Sequence, residues 1–501
     1  MRAWLVIAAL LILPLLVYWP TISYEYGFRD DYAHLREARE RPGWITTLTT
    51  AHGRPVYGAA LEVSLQAIVD VADLRVLRTL GALLMGVVGV LMWWQLRRAG
   101  WTEAQAAAIG AAVTLLPGAQ VIVGWANTWP VALGLIAALA GFAVVEAGFA
   151  RAGLARAAVV AAGGALYAIA GLTYQTSALF TVAPLAAVLL MREGTTTRSD
   201  AQWIVAHIGV LFVSLVAGFL FATAIMTEGA VPEATRTTIE PDIYRKFLWF
   251  LRNPVPNSIA LFALRDGFDT PFWFWVVLAT VIAIMLLGFI YGAADRQRRL
   301  RWLVVALLLP FVAHSVSLAA SSQAIGYRTL LPLSGLFLVL AMFGVRAVAA
   351  RYRAPRPAMG ALFTVLLVVV AVLAQRNSLT LIAEPQGREW QLMRAAANRL
   401  RLTNDTLVYL IRPSIDDRST QRVYSDEYGS LTADSDWASK EMFKAAMRER
   451  FPNGLPEGTS YSLFTGFGGP PAQYSYGLIV DLRELKNFRE RAPNETTASQ
   501  R

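Results

Sequence analysis

The sequence predicts an α-helical polytopic membrane protein carrying a small α/β domain at its C-terminus. Three observations lead there. Of 501 residues, 56% are hydrophobic and only 16% are charged, a balance that a soluble chain of this size does not carry. Mean hydropathy is +0.46. Apolar runs of about 18 residues or more, each long enough to cross a bilayer, recur from residue 3 to residue 375.

The runs lie at 3–20, 75–96, 103–122, 128–148, 155–172, 175–191, 201–226, 271–293, 302–320, 329–348 and 358–375, which makes about eleven transmembrane helices. The gaps after Trp125 and around Tyr174 are short enough for a merged or re-entrant pair. The first run has the charged start (Arg2) of a signal sequence but no A-x-A type cleavage site before Tyr24, so it reads as an uncleaved signal anchor.

Orientation follows from arginine. With a cytoplasmic N-terminus, one set of loops holds Arg97 and Arg98, Arg151 and Arg156, and Arg192 and Arg198. The same set holds Arg296, Arg298, Arg299 and Arg301, then Arg346, Arg351, Arg353 and Arg356. The short loops on the other side hold almost none, Arg328 excepted. This places 21–74, 227–270 and everything after 375 outside the cytoplasm. Arginine in preference to lysine, with abundant alanine, suggests a GC-rich bacterial genome. The expected location is therefore a bacterial inner (plasma) membrane, crossed many times, with the C-terminal domain extracytoplasmic.

Net charge is +10 and the pI about 9.9. Loop arginines facing anionic headgroups account for this, so no nucleic-acid partner is expected. Cysteine is absent, which excludes disulfides and thiol chemistry. There is no P-loop and no Rossmann glycine pattern, which disfavours an ATP-driven pump and a nucleotide-sugar enzyme.

The membrane part is expected over 1–380 and the C-terminal domain over 381–501. In the latter, REWQLMRAAANRLR (388–401) reads as an amphipathic helix. DTLVYLIRP (405–413) and YSYGLIVDL (474–482) read as strands, PNGLPEG and FGGPPAQ as turns, and the end RAPNETTASQR as disordered. Two outer loops carry their own helical patterns. VYGAALEVSLQAIVDVADL (56–74) is amphipathic, its apolar face interrupted by Glu62 and Asp70, and suits the membrane surface. DIYRKFLWFLRNP (242–254) alternates basic and aromatic residues in the same manner.

Candidate chemistry starts at FRDDYAHLRE (28–37), just past the first apolar run. Asp30 and Asp31 either cap a helix starting near Tyr32 or form a tuned pair. Packed carboxylates repel, so one would have a raised pKa and could act as a general base for a hydroxyl. His34, three and four residues on, shares their face. Asp30, Asp31 and His34 also have the ligand chemistry for a divalent cation, Mg or Mn, though three ligands are too few to define a site.

The acidic pair after the first span, HGRPVYGAAL (52–61) and YQTS (174–177) together resemble the GT-C superfamily of membrane glycosyltransferases. Within it they are most similar to the bacterial O-antigen glucosyltransferase (Gtr type) group, over roughly residues 1–375. The resemblance implies a sugar donor on a polyprenyl phosphate, set in membrane lipid, and an extracytoplasmic glycan acceptor such as lipopolysaccharide O-antigen or another cell-envelope polymer. Asp30, or secondarily Asp31, would be the catalytic base. Arg328 in SSQAIGYRTL would bind the donor phosphate, with the alternative that it snorkels to headgroups; Arg54 is a second phosphate candidate. Tyr174 and Gln175 would hydrogen-bond sugar hydroxyls or cap and pack. Trp125, with Asn127 and Trp129 in GWANTWP, would stack on a sugar or form an interfacial belt. His207 and His314, inside spans, are expected to bond neighbouring helices. Two rival readings are a lipid-linked sugar flippase and a non-catalytic envelope assembly protein.

Overall fold

The structure, a computed structural model, describes residues 3–226, 239–265, 271–323, 326–414 and 428–483. The expectation of disorder at RAPNETTASQR lies outside the described residues.

Among the described residues, seven helices are long and apolar enough to cross a membrane, and an eighth crossing is possible if one bent pair counts as a span. They are Leu74–Arg98, Ala126–Phe149, Gly153–Thr173, Thr197–Ile225, Phe272–Gly292, Tyr327–Arg351 and the apolar part of Arg356–Arg399. The bent pair is Glu103–Val113 with Pro117–Gly124, turning by 51° where Pro117 breaks the hydrogen-bond ladder. All eleven expected runs are helical, but three fall short of the spanning test. The first is Ala3–Val17, followed by a short turn of helix; Gln175–Met191 is too short; and Arg296–Ala319 is interrupted near Val304–Leu308 and at His314. Length and apolarity therefore support seven or eight crossings rather than about eleven.

Burial sorts these helices. Most of the apolar window of Tyr327–Arg351 is buried (72%), so this helix is central. The windows of Gly153–Thr173, Thr197–Ile225 and Phe272–Gly292 are 22% buried and that of Arg356–Arg399 only 11%. Their outward faces show Val213, Leu220, Val365 and Val372, an apolar sheath suited to lipid. Phe272–Gly292 crosses the central helix where Gly288 meets Gly344; any side chain on Gly344 would collide with the Ile284 carbonyl.

Three short helices fill the first outer loop: Asp30–Glu40, Trp44–Ala51 and Pro55–Gln66. The expected single helix over 56–74 ends at Gln66. The next residues turn because Asp70 accepts the Asp73 N–H and Asp73 accepts the Val69 N–H, a local alternative to the helical ladder. Glu62 is buried and accepts the Thr46 N–H and hydroxyl, satisfying the open end of the Trp44–Ala51 helix. The second amphipathic segment forms the helix Ile243–Arg252, with Lys246 buried and donating to the Ser322 carbonyl at 2.6 Å.

The C-terminal region holds the end of the long helix, Glu384–Arg399, the helix Asp436–Arg450, and three strands: β1 (Thr406–Ile411), β2 (Tyr461–Gly466) and β3 (Leu478–Asp481). The sheet is parallel in the order β2-β1-β3, so buried β1 is central. Parallel pairing needs a crossover, supplied between β1 and β2 by Asp436–Arg450. Strand β2 and this helix were not evident in the sequence. Trp390, Met393, Met442 and Phe443 share one core with Val408 and Val480, and that core continues into Tyr32, Leu35, Leu61 and Leu65 of the first outer loop. Arg36 binds Glu441 (2.8 Å), and Glu25 accepts from Trp390 Nε1 (2.9 Å) and Arg394 (2.8 Å). Loop and C-terminal region thus form one packed layer.

Candidate active site

The backbone leading to Asp30 is fixed from several directions. Arg78, fully buried in the first turn of Leu74–Arg98, donates from Nη1 to the Tyr26 carbonyl (2.8 Å) and from Nη2 to the Tyr24 carbonyl (3.0 Å). The Tyr26 hydroxyl donates to the Gly124 carbonyl at 2.7 Å. Arg29 has a φ of 47°, an unusual value for a side-chain-bearing residue, immediately before the helix Asp30–Glu40. The C-terminal region holds it there: the Arg29 N–H donates to Thr432 Oγ1 at 3.0 Å and its guanidinium reaches Asp434 at 3.4 Å. Thr432 is positioned in turn by Glu389, whose carboxylate accepts the N–H groups of Thr432 (2.8 Å) and Ala433 (2.9 Å).

The two acids diverge. Asp31 is fully buried. Its Oδ2 accepts the Phe28 N–H at 2.8 Å and its Oδ1 the Asn127 N–H at 3.0 Å, pinning the turn to the start of the Ala126–Phe149 span. Burial pushes its pKa from 3.8 up to about 7, against the lowering pull of those two N–H groups and Arg78; Asp30 contributes least to the rise. The expectation of one raised acid holds, but burial is the main cause, not repulsion. Asp31 is also no cap: its bonds run backward to Phe28 and across to Asn127. Asp30 is partly exposed and, among the described residues, makes no hydrogen bond or ion pair.

Most of the remaining candidates contact one another. Arg54 donates from Nε to Gln175 Oε1 (2.8 Å) and lies over the Tyr174 ring at 4.2 Å. Arg328, in the first turn of the central helix, donates from Nε to the Tyr174 hydroxyl (3.3 Å) and lies over Trp125 at 4.7 Å. Tyr57 sits among them: the charges of Arg328, Arg54 and Asp30 all act on its phenol, whose hydroxyl donates to the Asn127 carbonyl at 2.7 Å. His34 Nδ1 faces the Asn127 side-chain amide at 2.8 Å. Arg54, Trp125, Tyr174 and Gln175 thus form one contact group with Arg328 at the start of the Tyr327–Arg351 helix, and Asn127 joins His34 to Tyr57.

Several expectations change in detail. The Gln175 amide is committed to protein: besides Arg54, its Nε2 donates to the carbonyls of His52 (2.8 Å) and Gly53 (3.2 Å). It therefore acts as a clamp on the HGRP segment, the packing alternative of the two expected for it. Gly53 is required there, with φ of 73° and only 2.9 Å between a built Cβ and Gln175 Nε2. Trp125 and Trp129 are both buried, which excludes an interfacial belt. Trp125 packs edge-on against Phe28, and its Nε1 is buried without a partner among the described residues; Trp129 instead donates to Ser64 Oγ (3.2 Å). Asp30, Asp31 and His34 do not form a ligand set. Both Asp31 oxygens hold N–H groups, His34 Nδ1 faces an amide, and among the described residues no three His, Asp or Glu side chains gather as a metal site. His207 bonds Glu146 of a neighbouring helix (2.8 Å), as expected for a membrane histidine. His314 stacks on Phe250 and Trp249, and neither ring nitrogen has a partner among the described residues.

Sequence reasoning missed Arg78, Tyr57, Arg29 and Thr432. Only Arg78 left a signal, as a charge inside the 75–96 apolar run.

No protein-family model matches this chain, and no curated protein matches it. Among solved structures it is similar to the oligosaccharyltransferase of Archaeoglobus fulgidus. The apo form shares 11% identity, with a TM-score of 0.49, over 89% of this chain and 64% of that one. A complex of the archaeal oligosaccharyltransferase AglB from Archaeoglobus fulgidus with an inhibitory peptide and a dolichol-phosphate gives 11%, 0.47, 89% and 63%. The Zn and sulfate complex of the protein seen in the apo form gives 11%, 0.48, 89% and 61%. This chain spans less than two thirds of the length of those proteins. A likeness of this degree defines neither family nor activity.

Proposed function

We propose that the protein is an integral-membrane glycosyltransferase of the GT-C type. It moves a sugar from a polyprenyl-phosphate donor to an extracytoplasmic glycan, with lipopolysaccharide O-antigen as the favoured acceptor class. The observation that carries this reading is the gathering of Arg54, Arg328, Tyr174 and Trp125 at one end of the central helix, with the partly exposed carboxylate of Asp30 acting electrostatically on nearby Tyr57.

The reaction needs two opposite charges a few ångströms apart. Asp30 accepts the proton of the acceptor hydroxyl as its oxygen bonds to the anomeric carbon. The bond from that carbon to the donor phosphate oxygen breaks, and the polyprenyl phosphate leaves with the electron pair. Arg328 and Arg54 stabilise the charge gathering on the phosphate. Trp125 offers a buried N–H to a ligand oxygen. Asp31, Arg29 and Gln175 position these groups.

The test is sugar release from a panel of synthetic polyprenyl-phosphate sugars by the purified protein in nanodiscs, with cell-surface glycan as acceptor. Wild type should yield free polyprenyl phosphate and lengthened glycan. Arg328→Lys keeps the charge but loses the planar fork, so half-saturation should need about tenfold more donor, a loss of about 1.4 kcal/mol. No transfer from any donor, or unchanged donor use by both Arg328→Lys and Arg328→Ala, would refute the reading.

A further inference from the structure

A second cluster of arginines surrounds a cavity at the opposite end of the central helix. Arg328 and Arg346 lie on the same helix, and at 1.5 Å per residue their separation is about 27 Å, close to the thickness of a hydrocarbon core. Beyond the Gly288–Gly344 crossing, the Phe272–Gly292 helix stops, and a cavity of about 240 Å³ opens between it, the central helix and the residues after Met191. That is room for about eight water volumes. Arg192, Arg298 and Arg346 line it together with Glu193, Tyr291 and Phe343.

The arginines are held but not saturated. Arg346 uses Nη1, on Gln105 Oε1 (3.1 Å) and the Gly100 carbonyl (3.4 Å). Arg298 uses Nη2 on Glu193 (3.2 Å) and Nε on Asp295 (3.4 Å). Arg192 uses Nε on Asp200 (3.1 Å), which also binds Arg301 (2.7 Å). Among the described residues, each lining guanidinium keeps N–H donors for another acceptor. Arg192 and Arg298 bind carboxylates, whereas among the described residues Arg346 binds only neutral acceptors, so one lining charge, that of Arg346, has no carboxylate in contact. The remaining wall is apolar and leads to Leu286 and Ile290, exposed on the outer face of Phe272–Gly292.

We infer that this cavity binds the phosphate of a singly charged phosphodiester lipid, its chains lying along the Phe272–Gly292 helix. One negative charge balances that of Arg346, the open donors match phosphate oxygens, and the apolar wall matches the chains. This site is independent of the transfer chemistry at the other end of the helix.

Native mass spectrometry of the purified full-length protein, released from detergent with phosphatidylglycerol or phosphatidylcholine, tests the inference. Wild type should retain phosphatidylglycerol about tenfold better. Arg298→Gln with Arg346→Gln should erase that preference, whereas Arg353→Gln with Arg356→Gln, exposed arginines of the same face, should leave it intact. Glu193→Gln, which removes a competing carboxylate without removing a donor, should strengthen retention, so a folding defect in the double variant cannot decide the matter. Equal retention of the two lipids, loss of preference in the exposed-arginine control, or displacement of phosphatidylglycerol by inorganic phosphate at equal concentration would each overturn it. The last outcome would assign a free-anion site instead.

Discussion

The two ends of the molecule use arginine in different ways. At the basic end, Arg192, Arg298 and Arg301 bind carboxylates directly, at 3.1, 3.2 and 2.7 Å. At the other end, Arg54 and Arg328 are oriented by an amide oxygen, a phenol and the faces of Tyr174 and Trp125. A carboxylate offsets an arginine's charge at contact, whereas a ring face or an amide oxygen fixes the orientation of the guanidinium. The carboxylates differ too. Asp200 serves as a structural counter-ion, Asp31 as an anchor for backbone N–H groups, and Asp30 is partly exposed.

The largest expected effect tests the contrast at Asp30. Asp30→Asn removes the titratable oxygen with almost no change in shape. Sugar transfer should fall by about a hundredfold to ten-thousandfold, while the thermal midpoint stays within a degree or two of wild type. If transfer survives, the exposed acid is not the base and the functional contrast between the ends collapses.

The second test falls at the basic end. Asp200 and Arg301 are both buried, and Asp200 also accepts from Thr195 and Gln297. Asp200→Asn leaves the Arg301 charge uncompensated, which should cost about 3 kcal/mol of stability, read as a lower thermal midpoint in detergent. The folded fraction should retain wild-type transfer. A fall in transfer per folded molecule would show that the two ends are coupled.

Much of the outer site was legible because charge is costly beside a membrane, so isolated polar residues next to apolar runs stand out. Asp30 and Arg328 were visible in this way, Arg54 and Tyr174 through the resemblance, and the structure joins Arg54 and Arg328 through Tyr174. Sequence did not reveal which acid of the pair is buried, since adjacent helical residues point about 100° apart and only the fold decides which one turns inward. Nor did it reveal that Gln175 grips His52 and Gly53, or that Thr432 and Asp434 hold Arg29, because these contacts join segments far apart in the chain. The helical nature of all eleven apolar runs was legible; their lengths were not, because Pro117 and the break near His314 depend on packing. Strand β2, YSLFTG, has neither a continuous apolar run nor strict alternation, and it becomes a strand by pairing with β1.

The smallest expected effect separates Asp31 from its neighbour. In Asp31→Asn, one oxygen still accepts an N–H, but the new NH₂ faces the second backbone donor, from Phe28 or Asn127. One buried donor is orphaned, at a cost of about 1–3 kcal/mol. The pH dependence carries the sharper information. Burial raises the folded-state pKa of Asp31 from 3.8 to about 7, so the folded state holds this proton more tightly than the unfolded chain. The resulting stabilisation is complete below the unfolded value and is lost as pH rises through the folded one. Wild type should therefore lose stability between about pH 4 and pH 7 through this group, and Asp31→Asn, which cannot titrate, should not. The gap between the two thermal midpoints, measured on purified full-length protein from pH 4.5 to 8 at one heating rate, should be widest at the acid end and narrow toward pH 7. A gap that ignores pH would mean that Asp31 does not titrate in this window. A gap that widens with pH would mean that its two N–H partners and Arg78 outweigh burial, leaving Asp31 an ionised anchor throughout, as fixed in charge as Asp200 at the other end.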